Sequence, residues 1–223
     1  MKYKYTGVHA AWAVLVINIL WLAGCSGTSQ KEPAVNVPAG CGILSSFSVG
    51  TGFCEQMQVP QVGFAVQWPV GLDRELPRQG ATNQHYGLFF QRSADETLTE
   101  SILLGVLEKA DTLPIGEDLA QGLFRQFGEA YQNMGFSFSQ FAVGTEMYQG
   151  REVWSLQAKG SIDNPQQHLK GNYLLFGLLV TQPAKPNGLF ILLQANEQSP
   201  IKDFADFATK GCTSVVLQTL RWL

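Results

Sequence analysis

The chain has 223 residues, of which 45% are hydrophobic and only 15% are charged. Its formal net charge is −3, from 15 Lys and Arg against 18 Asp and Glu. The apolar content is sufficient for a packed core and excludes a wholly disordered chain. Nucleic acid is not expected as a partner, because binding to phosphates requires an excess of Lys and Arg that this chain lacks.

Residues 1–24 are predicted to be a signal peptide. Lys2 and Lys4 precede the apolar run Ala10–Leu22, which is shorter than the roughly 20 residues of a membrane span. The run ends in Leu22-Ala23-Gly24-Cys25, which resembles the lipobox of bacterial lipoproteins. In that family the cysteine receives diacylglycerol, the chain is cut before it, and the new amino group is acylated. The resemblance implies lipidation of Cys25 and a stable anchor, since two or more acyl chains hold a protein on a bilayer. An ordinary signal peptidase site beside an incidental thiol is the alternative.

The residue after this cysteine bears on the destination. In Gram-negative lipoproteins an Asp at that position favours retention in the inner membrane, so Ser26 implies the outer membrane, with the protein facing the periplasm. Removal of residues 1–24 leaves 13 basic residues against 18 acidic ones, a net charge of −5. An acidic domain is not suited to bind anionic lipid through its surface, so we expect the acyl chains to make the membrane contact.

Residues 25–40 contain Pro, Gly and Ser without apolar periodicity, which predicts a flexible tether. Residues 41–223 have the length of a single domain. Three strands are predicted in its first half, at 62–68, where apolar residues alternate, at 86–92, and at 101–108, which fits a helix or a strand but follows strand-favouring threonines. The segment 69–85 is predicted to be a long loop.

The second half alternates helix, strands and helix. A helix is predicted over 114–134, and the pair Gln149-Gly150 predicts a hairpin between strands 136–148 and 151–159. Two more strands are predicted at 171–181 and 188–196. The last prediction is a helix from Ser199 to Trp222, with Ser199 as its cap and Phe204, Phe207, Cys212 and Val216 on its buried stripe.

The predicted strands Tyr173–Val180 and Leu189–Leu193 are apolar on both faces, which indicates a sheet covered on both sides. We therefore predict an α+β fold, a mostly antiparallel sheet of about six strands between helical layers. This order resembles the PsbP-like α-β-α sandwich, found in the photosystem extrinsic protein, DcrB-type envelope lipoproteins and the Ran-binding Mog family. Phe64–Pro69 resembles its opening strand and Ser214–Leu223 its closing helix. The resemblance implies a protein that binds proteins or ions and is not an enzyme, and it transfers no site residue.

Four cysteines are present, and three remain after Cys25. Disulfides persist in exported proteins. The favoured pairing joins Cys41 to Cys54, which closes a short loop worth about 3 kcal/mol in the chain-entropy model. A bridge from Cys41 or Cys54 to Cys212 and three free thiols are the alternatives.

Signatures of catalysis and of metal binding are missing from the sequence. The mature chain holds two histidines, His85 and His168, and no Cys-x-x-Cys, His-Glu-x-x-His or Gly-x-Ser-x-Gly pattern. We expect no metal and no cofactor. A non-enzymatic lipoprotein that binds an envelope protein or assists assembly is therefore the leading hypothesis. An envelope hydrolase with a site assembled from distant residues, and a lipoprotein that binds a small ligand or an ion, are the alternatives.

The segment between the first two predicted strands is the predicted contact surface. It contains Asp73, Arg74, Arg78 and His85, and long loops in compact domains are often functional. An ordinary surface loop is the competing interpretation.

Overall fold

Strands dominate the computed structural model, which describes residues 35–79, 85–108, 115–182 and 185–223. The predicted signal peptide, Cys25 and most of the predicted tether lie outside these ranges. The elements, in chain order, are β1 (Leu44–Val49), α1 (Thr51–Met57), β2 (Phe64–Pro69), β3 (Asp73–Glu75), β4 (His85–Arg92), β5 (Leu98–Glu108), α2 (Glu117–Asn133), β6 (Ser137–Tyr148), β7 (Arg151–Asn164), β8 (Leu169–Val180), β9 (Asn187–Asn196), α3 (Thr213–Thr219) and β10 (Arg221–Trp222). Two short 3₁₀ turns lie at Pro165–Gln167 and Ala205–Ala208.

Seven strands form the main sheet, in the order β3-β4-β5-β9-β8-β7-β6, and all its neighbours are antiparallel. The predicted hairpin is confirmed, since Tyr148 pairs with Arg151 across a turn in which Gln149 and Gly150 have positive φ angles of 51° and 76°. The ambiguous segment is a strand, β5. The predicted loop 69–85 is interrupted by β3, a three-residue strand at one edge.

A second sheet, β1-β2-β10, covers one face of the main sheet at its β3 end. The ring of Phe47 lies 5.6 Å from that of Phe89, and the ring of Phe64 lies 5.5 Å from that of Tyr86. These rings belong to one apolar cluster that also takes in β9 and α3. The first predicted strand therefore belongs to a separate layer and not to the main sheet.

Helix α2 covers the opposite face. Phe124 is fully buried there, and its ring lies 6.2 Å from that of Phe190 on β9. Gly177 on β8 makes room for it, because an added Cβ would stand 3.1 Å from the Phe124 ring. The fold is α+β and mostly antiparallel, but the prediction of helices on both faces is wrong, since the second face carries the small sheet and short helical segments.

The segment that follows β9 corrects another prediction. A continuous helix from Ser199 to Trp222 is not formed, and only Thr213–Thr219 is α-helical. Gly211 has a φ of +72°, and an added Cβ there would overlap the carboxylate of Glu100. Ser199 faces the same carboxylate instead of capping a helix. The apolar stripe is nevertheless buried at Phe207 and Val216.

No helix within the described ranges has both the length and the apolar character needed to cross a bilayer.

Candidate functional site

The residues of the predicted contact surface are dispersed around the β3 edge. Asp73 and Arg74 lie on β3, Arg78 is exposed beyond it, and His85 begins β4. The guanidinium carbon of Arg74 lies 5.2 Å from the Trp68 ring centroid and 5.7 Å from that of Phe47. Arg74 therefore covers rings of the second sheet, which is a structural role. Residues 80–84 of this segment lie outside the described residues.

Neither histidine lines any of the three cavities described below. His85 is partly buried, and within the described residues its Nδ1 has no hydrogen-bond partner. Burial lowers the pKa of His85, and the carboxylate of Glu75 partly opposes that shift. His168 is exposed immediately before β8, where its carbonyl oxygen accepts from the backbone N–H of Leu98.

The disulfide joins Cys41 to Cys212, with 5.3 Å between the Cα atoms. The favoured pairing of Cys41 with Cys54 is therefore wrong. The bridge that is formed, from Cys41 to Cys212, is one of the two alternative pairings with Cys212. Cys54 is a free thiol, buried in α1, and its Sγ lies 3.8 Å from the Val62 carbonyl oxygen. Its burial raises the pKa of the thiol, which disfavours the reactive thiolate.

A buried carboxylate stands beside this disulfide. Glu100 on β5 accepts a hydrogen bond from Ser199 Oγ at 3.0 Å and two from Thr213, from its Oγ1 at 3.3 Å and its backbone N–H at 3.4 Å. Glu100 thus holds both ends of the segment 199–213. A cavity of about 460 Å³ opens here, with Cys41, Glu100 and Lys210 among its lining residues. Lys210 pairs with Asp206 at 2.7 Å, so its charge is already balanced.

Two smaller cavities lie side by side over the half of the main sheet that runs from β9 to β6, and Phe204 stands between them. The first, of about 270 Å³, is mostly apolar. Phe176 and Leu178 of β8 line it together with Phe204, Ala205 and Leu217 of the closing segment. Its polar border is Gln157, whose Nε2 donates to Glu146 Oε1 at 2.9 Å.

The second cavity, of about 320 Å³, is also mostly apolar, but two lysines, Lys159 and Lys202, and the acidic Glu197 are among its lining residues. The Nζ of Lys159 lies 5.1 Å from the Phe204 ring centroid, so the two cavities meet at this contact. We call the two together the Phe204 groove. Alternation along β7 creates it, because Gln157 and Lys159 point to the groove face while Leu156 and Ala158 point into the helical layer.

Some of the charged side chains of the groove have hydrogen-bond partners, but few of them have partners of opposite charge. The Nζ of Lys202 donates to the backbone carbonyl of Glu197 at 2.7 Å, and the Glu197 carboxylate accepts from Asn172 Nδ2 at 2.7 Å. Within the described part of the chain, no carboxylate lies within ion-pair distance of Lys159 or Lys202. An anionic group in the second cavity would meet the ammonium groups of Lys159 and Lys202 and also Glu197, whose carboxylate is held by Asn172, while an apolar group fits beside Phe204 in the first.

Metal binding finds no support in the ranges that the structure describes, where no three His, Cys, Asp or Glu side chains are grouped to hold an ion. Sequence reasoning missed Lys159, Lys202 and Phe204 as site residues. The single local signal was a lysine within a predicted strand, Lys159, which is common on a solvated face.

Comparison with models of protein families gave no match, and comparison with the sequences of curated proteins gave none either. Among solved structures, the chain is similar to cyanobacterial PsbP (CyanoP) from Synechocystis sp. PCC 6803, at 15% identity and a TM-score of 0.47, over 91% of this chain and 99% of that one. LpqN of Mycobacterium tuberculosis, described as involved in cell envelope biogenesis, is similar at 13% identity and a TM-score of 0.43, over 79% and 90%. The Ran-binding protein Mog1p of Saccharomyces cerevisiae is similar at 12% identity and a TM-score of 0.41, over 81% and 96%.

Proposed function

We propose that the protein is a non-enzymatic, lipid-anchored module of the bacterial cell envelope that binds its partner in the Phe204 groove. The observation that carries the proposal is the pair of adjoining, mostly apolar cavities, the second of which is lined by two lysines whose ammonium groups have no carboxylate within ion-pair distance among the described residues. Binding sites are typically concave and apolar, with a few placed polar groups. The groove therefore suits a partner that presents an apolar group next to an anionic one.

Attachment through Cys25 is the second part of the proposal. The sequence Leu22-Ala23-Gly24-Cys25 supports it, and Ser26 favours the outer membrane, with the domain in the periplasm. The chain enters the domain at Cys41, close to Ile43 and Val70, whose side chains are 79% and 53% exposed. Val70 N–H donates to the Ile43 carbonyl oxygen at 2.9 Å, so the two lie together. An apolar pair at the anchored end is suited to lie against a bilayer.

The anchor is tested on the full chain produced in a bacterial host. Mass spectrometry of the mature protein should find a chain that begins at Cys25 and carries a diacylglyceryl group and an amide-linked acyl chain. Cys25→Ser should remain unlipidated and leave the membrane fraction. An unmodified Cys25, or a different first residue of the mature chain, would contradict the proposed anchor but would leave the proposed binding in the groove unaffected.

The groove is tested with a defined probe, anilinonaphthalene sulfonate, which joins apolar rings to an anionic sulfonate. We expect saturable binding to the folded protein, followed by fluorescence, that weakens as salt rises. Lys159→Gln should weaken it by about tenfold, the effect of losing roughly 1.4 kcal/mol of a charge-assisted contact. Lys185→Gln removes the same charge outside the groove and is the matched control. Equal affinity of the two variants contradicts the groove assignment.

The predicted contact residues enter the same experiment as a second control. Arg78→Gln should leave probe binding unchanged, because Arg78 lies near the β3 edge and not in the groove. Recovery of an envelope partner that depends on Arg78 and not on Lys159 would move the contact surface back to the segment 70–85.

The non-enzymatic part of the proposal has its own test. The purified protein should show no turnover of chromogenic esters, phosphate esters or glycosides above buffer. Turnover that one polar substitution abolishes would establish the hydrolase alternative.

A further inference from the structure

The strand β6 is a long and unprotected edge. In the described part of the chain it pairs with β7 alone, and it forms one end of the seven-stranded sheet. Edge strands are normally protected by short length, by charged residues, by proline or by bulges, because their free backbone groups invite pairing with another strand. β6 has 12 residues, no proline and a single charged residue, Glu146. Its one irregularity, between Phe138 and Gln140, leaves the run from Phe141 to Tyr148 regular.

The side chains of this run divide between two faces. Phe141 lies on the α2 side, since its ring approaches the position that a Cβ at Gly128 would occupy, and alternation places Val143, Thr145 and Met147 on the same side. Phe141 and Met147 are 39% and 70% exposed, and both are among the large apolar residues left uncovered in the described structure.

The sequence of the run is complementary to itself. In an antiparallel pair of identical strands related by a two-fold axis, an axis at Gly144 sets Phe141 opposite Met147 on each side. The same register sets Ala142 opposite Glu146, so the two Glu146 carboxylates do not face each other. A thioether against an aromatic ring is a favourable contact, and both exposed apolar side chains become covered.

We propose that β6 pairs antiparallel with β6 of a second copy of this chain, with the two-fold axis at Gly144. The two main sheets then form one continuous sheet. Because that axis is perpendicular to the sheet, both Phe204 grooves open on the same side. Glu146, Met147 and Tyr148 of β6 also line the first cavity of the groove, but the pairing uses the free backbone edge of β6 and requires no ligand in the groove.

Cysteine crosslinking in the full chain, within isolated membranes of the producing cells, tests the register directly. Two Gly144→Cys side chains would meet across the axis at a separation that suits a disulfide. We expect an oxidant to convert this variant to a covalent dimer on non-reducing gels. Ala142→Cys places a thiol on the same face of β6, but the proposed register sets it opposite Glu146 and not opposite the same thiol of the second copy. This variant should stay monomeric. Ala142→Cys combined with Glu146→Cys should crosslink again, since those positions face each other.

A second measurement needs no new thiol. An added Cβ at Gly144 meets no atom within 4 Å, so substitution there does not disturb the subunit. Sedimentation velocity of the full chain in density-matched detergent should give a dimer for the natural sequence. Gly144→Lys sets two ammonium groups against each other and should give a monomer. A monomeric natural protein, a dimeric Gly144→Lys variant, equal crosslinking at Gly144 and Ala142, or crosslinking of Gly144→Cys to a different protein would each overturn the proposal.

Discussion

The two ends of the main sheet are built in opposite ways. β3 has three residues, all charged, and Arg74 holds it against the rings of the second sheet. β6 has 12 residues with one charge, and among the described residues no second sheet covers its groove face. The β3 end has the properties of a protected edge, whereas the β6 end carries both the Phe204 groove and a free backbone edge. Charged residues in a loop can therefore protect a sheet edge as readily as they recognise a partner, and the open end is the better candidate for binding.

The greatest loss of stability is expected when a buried phenylalanine at the β3 end is truncated, in comparison with an exposed one at the β6 end. Phe89 on β4 is fully buried, with its ring 5.6 Å from those of Phe47 and Trp68. Phe89→Ala should lower the free energy of unfolding by about 3–5 kcal/mol, because it leaves a cavity in the core. Phe141→Ala, at a site that is 39% exposed, should cost about 1 kcal/mol or less. Urea unfolding of both variants in dilute solution measures the difference, and equal losses would remove the distinction between the ends.

The next effect concerns how β6 is fixed to β7. A Cβ at Gly160 would overlap the Phe136 ring and the Ser137 carbonyl oxygen. Gly160→Ala should therefore cost about 2–3 kcal/mol, as expected when atoms are forced into a packed site. Gly144→Ala adds the same methyl group to the same hairpin in open space. Thermal unfolding should show a large decrease in Tm for the first variant and little change for the second. Similar Tm values would mean that the start of β6 is not held tightly to the sheet.

A smaller effect is expected at β3. Arg74→Ala removes a guanidinium from two rings and should lower the free energy of unfolding by about 0.5–1 kcal/mol, the usual size at an exposed site. Arg74→Lys keeps a cation over the rings and should lose less. Chemical denaturation of the pair tests the structural role of Arg74, and an unchanged stability for Arg74→Ala would return this residue to the candidates for partner recognition.

The smallest change in stability is expected from the protonation of His85, which lies beside β3 and makes stability depend on pH. Burial lowers the pKa of His85 in the folded protein, so the unfolded chain binds the proton more readily. The contribution of His85 to stability is therefore full above its unfolded pKa of about 6.5 and is lost as the pH falls toward the lower folded value. Unfolding midpoints across this pH range should fall less for His85→Gln than for the natural protein. Glu75→Gln removes the charge that opposes the shift and should make the fall steeper, and a shallower fall would contradict the assignment.

The regular elements of the main sheet could be predicted because their signals are local. Gln149-Gly150 marks the hairpin, and β8 and β9 are apolar on both faces. The closing segment could not be predicted in this way, because its periodic stripe is typical of one long helix. The break at Gly211 depends on contact with Glu100, which is distant in sequence, so tertiary contacts decide the conformation. The Phe204 groove is hidden for the same reason, since Lys159 and Phe204 come from separate segments.

The pairing of Cys41 with Cys212 has a consequence for the order of events in folding. In the exported protein proposed above, disulfides form after export, and Cys41 precedes Cys212 by 171 residues, so Cys41 reaches the oxidising compartment before its partner. Throughout that delay Cys54 is the nearest thiol in the chain. The burial of Cys54 in α1 removes this competitor once α1 and β2 pack. The burial of Cys54 thus leaves Cys212 as the partner that Cys41 can reach in the folded domain.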